Sequence, residues 1–446
     1  MNRAIQNAEA LAESELRRDA LMIAEAGYAA LAIGAALKRA VRIKSDALHA
    51  GGKVYALAGR RLFFVGVGKC AFAAAGAVEE LFGERLTGGI ALAPLETPTS
   101  GRPGLEESLS LTGLDVSASK IEKHVGTHPL PSEANVQATE RILDFLAGRR
   151  EDDLVLMLIS GGGSTLLCSP RAPMTYFDER ALFEELTARG AAIQDINTVR
   201  KHLSRARGGA LAKAAYPAEV VSLIVSDVPG DDLATIASGP TLFDTSTVTD
   251  AEAVFARYGV APPAGIEFIE TPKEQAYFER VTNMLFLAGR DALSAMKEEA
   301  ERRGYAATIA DDRYAGEARD LGCSIVEQLH TAPAKTALLY AGESTVTIQG
   351  THGAGGRNQE MALGALEGIR TDELILSFAS DGHDNSDHAG AIADEATRAH
   401  MLSHALSPGD YLDSHRSYDF FAVTGDALIT GYTGSNVSDL IIALKK

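Results

Sequence analysis

Short apolar runs of strand length alternate along this chain with longer stretches whose apolar positions recur at helical spacing. Leu154–Ile159 is six apolar residues without a break, and 220–225 repeats the pattern with a single serine. Runs of this length bounded by Gly and Asp match strands buried on both faces of a parallel sheet. The stretches 61–67, 89–94, 283–287, 306–309, 337–340, 346–349 and 374–378 extend the series. Helical spacing predicts elements from about 71 to 81, over 133–147, 177–189 and 196–215, and from about Asn358 onward. The first fifty residues read as one or two alanine-rich amphipathic helices ending in a polar turn near 43–52. Such alternation predicts an α/β protein. A Pro-rich passage places a linker at 261–280, between an N-terminal domain (1–260) and a smaller C-terminal α/β domain (281–446).

Composition narrows the partners. The chain has 446 residues, 46% of them hydrophobic, and 42 basic against 60 acidic side chains for a net charge of −18. A polyanion or an anionic membrane is repelled on average by such a chain, which argues against nucleic acid and against a membrane surface. The three cysteines are widely spaced and odd in number, unlike a disulfide or zinc scaffold, so a reducing compartment is expected. No apolar stretch reaches membrane length and the start mixes charge with helical spacing rather than showing a signal-peptide core, so a soluble, cytoplasmic protein is expected.

Candidate chemistry lies in the turns that follow the strands. Ser160-Gly161-Gly162-Gly163-Ser164 comes directly after the central run; three residues without Cβ let backbone N–H groups close on an anion, as in a phosphate cradle, the alternative being a tight β-to-α turn that needs only positive φ. The first strand ends in Gly66-Val67-Gly68-Lys69-Cys70-Ala71. A Walker loop fails there, because Phe63 and Cys70 stand where Gly and Ser or Thr are needed. A relaxed dinucleotide fingerprint fits, but its ribose-binding acid would be Glu96, which comes late. Lys69 at a helix start opposes the helix dipole unless an anion compensates it, so it reads as a phosphate or substrate contact. His128, between Thr127 and two prolines, reads either as a ligand contact or as a loop histidine with a backbone partner. Arg200, Lys201, Arg205 and Arg207 form a basic cluster that is either a solvated helix face or, through Arg200, an anion contact. Asp227, Asp231 and Asp232 follow the 220–225 strand, where open sheets place their sites, and Asp381, Asp384 and Asp387 follow the strand at 374–378. Asp227, Asp231 and Asp381 are the candidate Mg²⁺ ligands, since hard carboxylate oxygens suit that ion beside nucleotide phosphates, and Asp227 or Asp381 is equally the candidate catalytic acceptor of the hydroxyl proton. Glu343 sits in the turn after the 337–340 strand. Arg357, beside Asn358 in a glycine-rich bend, supplies the fixed cation that phosphoryl transfer requires. Together these loops describe an ATP-dependent kinase with a small anionic acceptor.

The assembled motifs resemble the class II glycerate kinases, also called glycerate 2-kinases: GxGKxA at 66–71, THPLP at 127–131, SGGGS at 160–164, INTVRKHLS at 196–204, SDVPGDD at 226–232, IASGPT at 236–241, GGRNQE at 355–360 and TGxTGSNVSDL at 430–440. The resemblance implies a doubly wound, Rossmann-like parallel sheet in the first domain, a MOFRL-like second domain, and a site in the cleft between them. It further implies transfer of the ATP γ-phosphate to the 2-hydroxyl of D-glycerate with magnesium, Lys69 and Arg357 carrying catalytic weight; a homodimer is the candidate assembly if the chain self-associates. The loop 381–391 departs from the family pattern, with Asn385-Ser386 in place of Gly-Pro; Tyr432 replaces a proline and Ala341 a glycine. A related hydroxy acid of three or four carbons is therefore an alternative acceptor. The rival chemistry is nicotinamide-dependent reduction of hydroxypyruvate, which depends on the relaxed fingerprint at Gly66 and Gly68. A non-catalytic sugar-acid sensor would not require the carboxylate loops.

Overall fold

The structure, a computed structural model, describes residues 3–94, 119–228, 230–262, 265–348, 350 and 352–446. Fifteen strands are assigned: β1 (Arg42–Lys44), β2 (Ala47–Ala50), β3 (Lys53–Ala56), β4 (Leu62–Val67), β5 (Leu86–Pro94), β6 (Ile121–Gly126), β7 (Leu154–Ile159), β8 (Glu219–Val225), β9 (Val281–Leu287), β10 (Ala306–Glu317), β11 (Thr336–Thr345), β12 (Glu373–Ala379), β13 (Gly390–Ala393), β14 (Ala427–Leu428) and β15 (Asp439–Lys445). Six form a wholly parallel sheet in the order β6-β5-β4-β7-β8-β9. A second sheet, β10-β11-β15-β12-β13-β14, is mixed: β10 and β11 are parallel and the other pairs antiparallel.

Every residue of β4 and β7 is buried, because helices cover both faces of the parallel sheet. Phe64, Leu156, Leu158 and Leu223 point to one face and Val65, Val155, Met157 and Ile224 to the other. The first of these cores continues without a break into the second sheet, reaching Leu339, Leu376, Phe378 and Ile442. The helices Glu15–Leu31 and Gly289–Arg302 pack together at this junction and carry it. No single helix among the described residues is long and apolar enough to cross a membrane.

Several elements differ from the sequence expectation. The segment read as a polar turn at 43–52 belongs to a three-stranded antiparallel sheet, β1-β2-β3. The helix expected over 196–215 is two helices, Ile193–Leu203 and Ala210–Ala215, because Gly208 and Gly209 take positive φ (57° and 87°). No strand forms at 346–348; Gln349 lies outside the described residues, as do Glu96 and the polar stretch 97–118. The Pro-rich passage is not where the packing divides. β9 lies beyond it yet is the sixth strand of the first sheet. Conversely, the chain's first helices are tied to the second sheet: Arg17 pairs with Asp394 and Asp426, and the Tyr28 hydroxyl donates to the Ala379 carbonyl at 3.0 Å.

Candidate active site

The strand order of the parallel sheet reverses between β4 and β7, and an open α/β sheet leaves a crevice beyond the carboxyl ends of its strands at that point. The loops leaving those two strands are joined by hydrogen bonds. Lys69 N–H donates to the Gly161 carbonyl (2.9 Å), Ser160 N–H to the Val67 carbonyl (2.9 Å), and Cys70 N–H to Ser160 Oγ (3.1 Å). Gly68, at φ +113°, has no room for a side chain: a Cβ would lie 2.2 Å from Ser160 Oγ. Gly66 presses on Phe64 and Ala71, where a Cβ would stand at 3.0 and 3.3 Å.

The triglycine stretch therefore has a packing role that the sequence did not reveal. A Cβ on Gly161 would fall 1.9 Å from Asp227 Oδ2, and one on Gly163 would fall 2.6 Å from Ala237 Cβ. Gly162, at φ +79°, lets His128 and the Lys69 stem lie close to the loop. Ser160 is fully buried between the two strands, Ser164 Oγ shares a hydrogen bond with Ser238 Oγ (2.9 Å), and the helix that follows spans only Gly163–Leu166. Of the stretch expected to cradle phosphate, Gly162 lines the crevice.

That crevice is a polar cavity of about 310 Å³ between the two sheets. Lys69, His128, Gly162 and Asp227 line it from the parallel sheet; Glu343, Arg357, Asp381, Asp384, Asn436 and Asp439 line it from the mixed one. A larger open groove of about 1070 Å³ along 248–268 has only glutamates among its charged residues and offers an anion no cation.

The Lys69 ammonium bonds Asp381 Oδ2 at 2.8 Å across the cleft. Burial works against its charge, but Asp381, with Asp227 and Glu343 behind it, lifts its pKa above the ordinary lysine value. Arg357 is the first residue of the helix Arg357–Leu366; it donates from Nη2 to Glu343 (2.9 Å) and from Nε to Asp439. That helix start is anchored by Asp384, which accepts from the backbone N–H groups of Asn358 (3.0 Å) and Gln359 (2.8 Å). Asn358 is itself buried on Asp384 and Ser377, so it supports Arg357 from behind instead of facing the cavity. Desolvation, and then the Glu343 charge, push the Asp227 carboxyl up to about 6. Burial also raises Asp439, to about 7, with Arg357 opposing and Asp384 adding to the shift.

Two further expected site residues, Asp231 and Arg200, also lie outside the cavity lining. Asp231 bonds Arg290, at the start of the helix Gly289–Arg302, and borders a small neighbouring pocket. Arg200 stacks 4.2 Å from the Phe183 ring centroid, outside the cavity lining. Burial, then Arg207, lowers its pKa to about 10, and its Nε has no hydrogen-bond partner.

Residues 19–270 match a domain of unknown function, DUF4147, and residues 336–439 match the MOFRL family. A D-glycerate 2-kinase from Thermotoga maritima is 36% identical over 400 residues, covering 86% of this chain and 90% of its own. The chain belongs to the DUF4147–MOFRL glycerate kinase family. The crystal structure of a glycerate kinase from Thermotoga maritima superposes with a TM-score of 0.79 at 31% identity, covering 97% of this chain and 99% of that one. A putative hydroxypyruvate reductase from Agrobacterium vitis is 40% identical over 344 residues, covering 74% of this chain and 78% of its own. Each matched region of this glycerate kinase family member supplies one wall of the cavity: Lys69, His128 and Asp227 from the first, Glu343, Arg357 and Asp381 from the second. Asn436 and Asp439 are site residues that the sequence reading did not single out. The signal was the apolar run Leu440–Leu444: it marks a strand buried on both faces, whose first residue falls at the cleft.

Proposed function

We propose that this protein is a glycerate 2-kinase, transferring the γ-phosphoryl group of ATP to the 2-hydroxyl of D-glycerate or a closely related small hydroxy acid. The observation that carries the reading is that Lys69 and Arg357, each at the start of a helix on a different sheet, open onto one cavity whose volume suits a three-carbon acid beside a terminal phosphate. Both cations are held by carboxylates, Lys69 by Asp381 and Arg357 by Glu343 and Asp439. An incoming acid and phosphoryl group can exchange for those partners, leaving two fixed charges aimed at the equatorial oxygens and the acceptor carboxylate.

Among the described residues no cluster of three or more His, Cys, Asp or Glu is arranged to hold a metal ion alone. Asp227, Asp231 and Asp381 thus do not form one metal site, and Mg²⁺ would arrive with the nucleotide, taking one or two carboxylates and completing its shell with phosphate oxygens and water. Asp227, whose carboxyl is destabilised by burial and by Glu343, is the residue suited to hold it. Asp381 already accepts from Lys69 and from the His383 N–H (3.1 Å). When bound, the ion would neutralise β- and γ-phosphate charge. The three thiols are unpaired, which suits the cytoplasm.

The reductase alternative is disfavoured by the fingerprint turn itself. The amides of Lys69 and Cys70, which would meet a dinucleotide pyrophosphate, are already taken by the Gly161 carbonyl and Ser160 Oγ. One assay tests both readings: purified protein with MgATP and D-glycerate, followed by ADP release, and with NADH and hydroxypyruvate, followed by loss of nicotinamide absorbance. ADP release alone is expected, and K69A and R357A should each lower its rate by roughly 10²–10³ or more. Rates within a few-fold of wild type in those variants would overturn the assignment.

A further inference from the structure

The cavity contains a side chain that the charge-neutralising scheme leaves unused. His128 follows β6, and its loop is pinned on both sides. Thr127 N–H donates to Asn135 Oδ1 (2.8 Å), Asn135 Nδ2 donates to the Thr127 carbonyl (2.9 Å), and Thr165 Oγ1 donates to the Pro129 carbonyl (3.2 Å). Asn135 is fully buried, so the anchor is rigid. The imidazole projects beside Lys69, and Gly162 makes the room: the point where its Cβ would be lies 3.6 Å from both His128 Nε2 and Lys69 Cγ.

Every carboxylate of the cavity wall already accepts from a neighbour: Asp381 from Lys69, Glu343 and Asp439 from Arg357, Asp384 from Asn358 and Gln359, and Asp227 from Asn436 at 3.2 Å. Among the described residues neither ring nitrogen of His128 makes a hydrogen bond. We infer that His128 is a catalytic residue, the acceptor of the substrate hydroxyl's proton, which frees Asp227 for the metal. The inference rests on the kinase reading above. In the step, the acceptor oxygen forms the new bond to γ-phosphorus as its proton passes to the imidazole. The bond from that phosphorus to the β,γ-bridging oxygen breaks, and its electron pair leaves with the nucleoside diphosphate. The imidazolium then releases the proton to solvent. Loss of hydration in the cleft, then the charges of Lys69 and Arg200, hold the ring below its ordinary pKa, so it is neutral and able to accept before substrate binds. His128 is exposed and lines the cavity. A triphosphate engaging Lys69 would remove part of that depression and raise the basicity of the ring at the moment it is needed.

The test compares wild type with H128N and H128A in the ADP-release assay, with circular dichroism as the check on folding. Expected is a fall in kcat of about 10² or more with KM for ATP and for D-glycerate within a few-fold, and partial recovery of H128A by added imidazole. A kcat within a few-fold of wild type in folded H128N, a loss confined to KM, or a kcat loss that imidazole does not touch would each overturn the role. Absence of ADP release from the wild type would instead remove the kinase reading itself.

Discussion

Asp227 shows at the scale of one residue how a site is kept at a cost to the fold. Its carboxyl is enclosed and lies near Glu343, so its pKa of about 6 stands above the model-compound 3.8 expected in the unfolded chain. Between those values the folded state binds more protons, so stability falls as pH rises through the window and stays reduced above it. Asp227→Asn removes the charge while keeping an oxygen acceptor for Asn436. We expect the variant to be more stable than wild type at pH 8 by on the order of 2–3 kcal/mol, with the gain gone near pH 3.5, and to be nearly inactive. Denaturant melts at the two pH values, with the ADP-release assay, check this. Lys69 and Arg357 were legible in the sequence because a cation at a helix start is electrostatically unusual without an anion. His128 was legible only as one of two alternatives, because nothing local distinguishes a cavity-facing side chain from one with a backbone partner, and Asn436 and Asp439 were passed over, although the apolar run after Asp439 marks a buried strand.

At the scale of elements, the crevice is made by two strand-end loops bonded to each other and by glycines that let neighbours come close. Gly161→Ala would drive a methyl group into the space of Asp227 Oδ2 and Asn436 Nδ2. We expect it to lower kcat by more than tenfold through displacement of Asp227. Gly148→Ala, where nothing lies within 4 Å, should leave the rate unchanged; a G161A enzyme as fast as G148A would contradict this account. The strands and helices that cover the parallel sheet were readable because burial on both faces leaves an uninterrupted apolar run. β6 was not: it is an edge strand with a half-exposed, charged sequence, so no such run marks it. The break between the helices at 193–203 and 210–215 depends on Gly208 and Gly209, whose amides donate to the carbonyls of Ser238 (3.0 Å) and Gly239 (2.8 Å), a partner from another loop.

For the molecule as a whole, the start of the chain is bonded to its last third. Arg17, fully buried, bonds Asp394 and Thr397 and reaches Asp426 at 2.7 Å, joining the first helices to the last third of the sequence. Arg17→Ala would leave two buried carboxylates without their cation, and we expect a loss of roughly 3–5 kcal/mol in urea denaturation. Because the Tyr28 hydroxyl bonds Ala379, at the end of the strand that leads to Asp381, the same variant should also lower kinase activity at temperatures where it stays folded.

The sequence by itself determined the alternation of strands and helices, the unusual cations at helix starts and the carboxylates at strand ends. Those follow from local periodicity and local electrostatics, which a linear reading can weigh. Only the tertiary structure decided that β4 and β7 sit side by side at the reversal of strand order, that the chain's start belongs with its end, and that the glycines serve close approach. Pairing and packing join residues hundreds of positions apart, and no local pattern encodes which of several buried strands will be a neighbour.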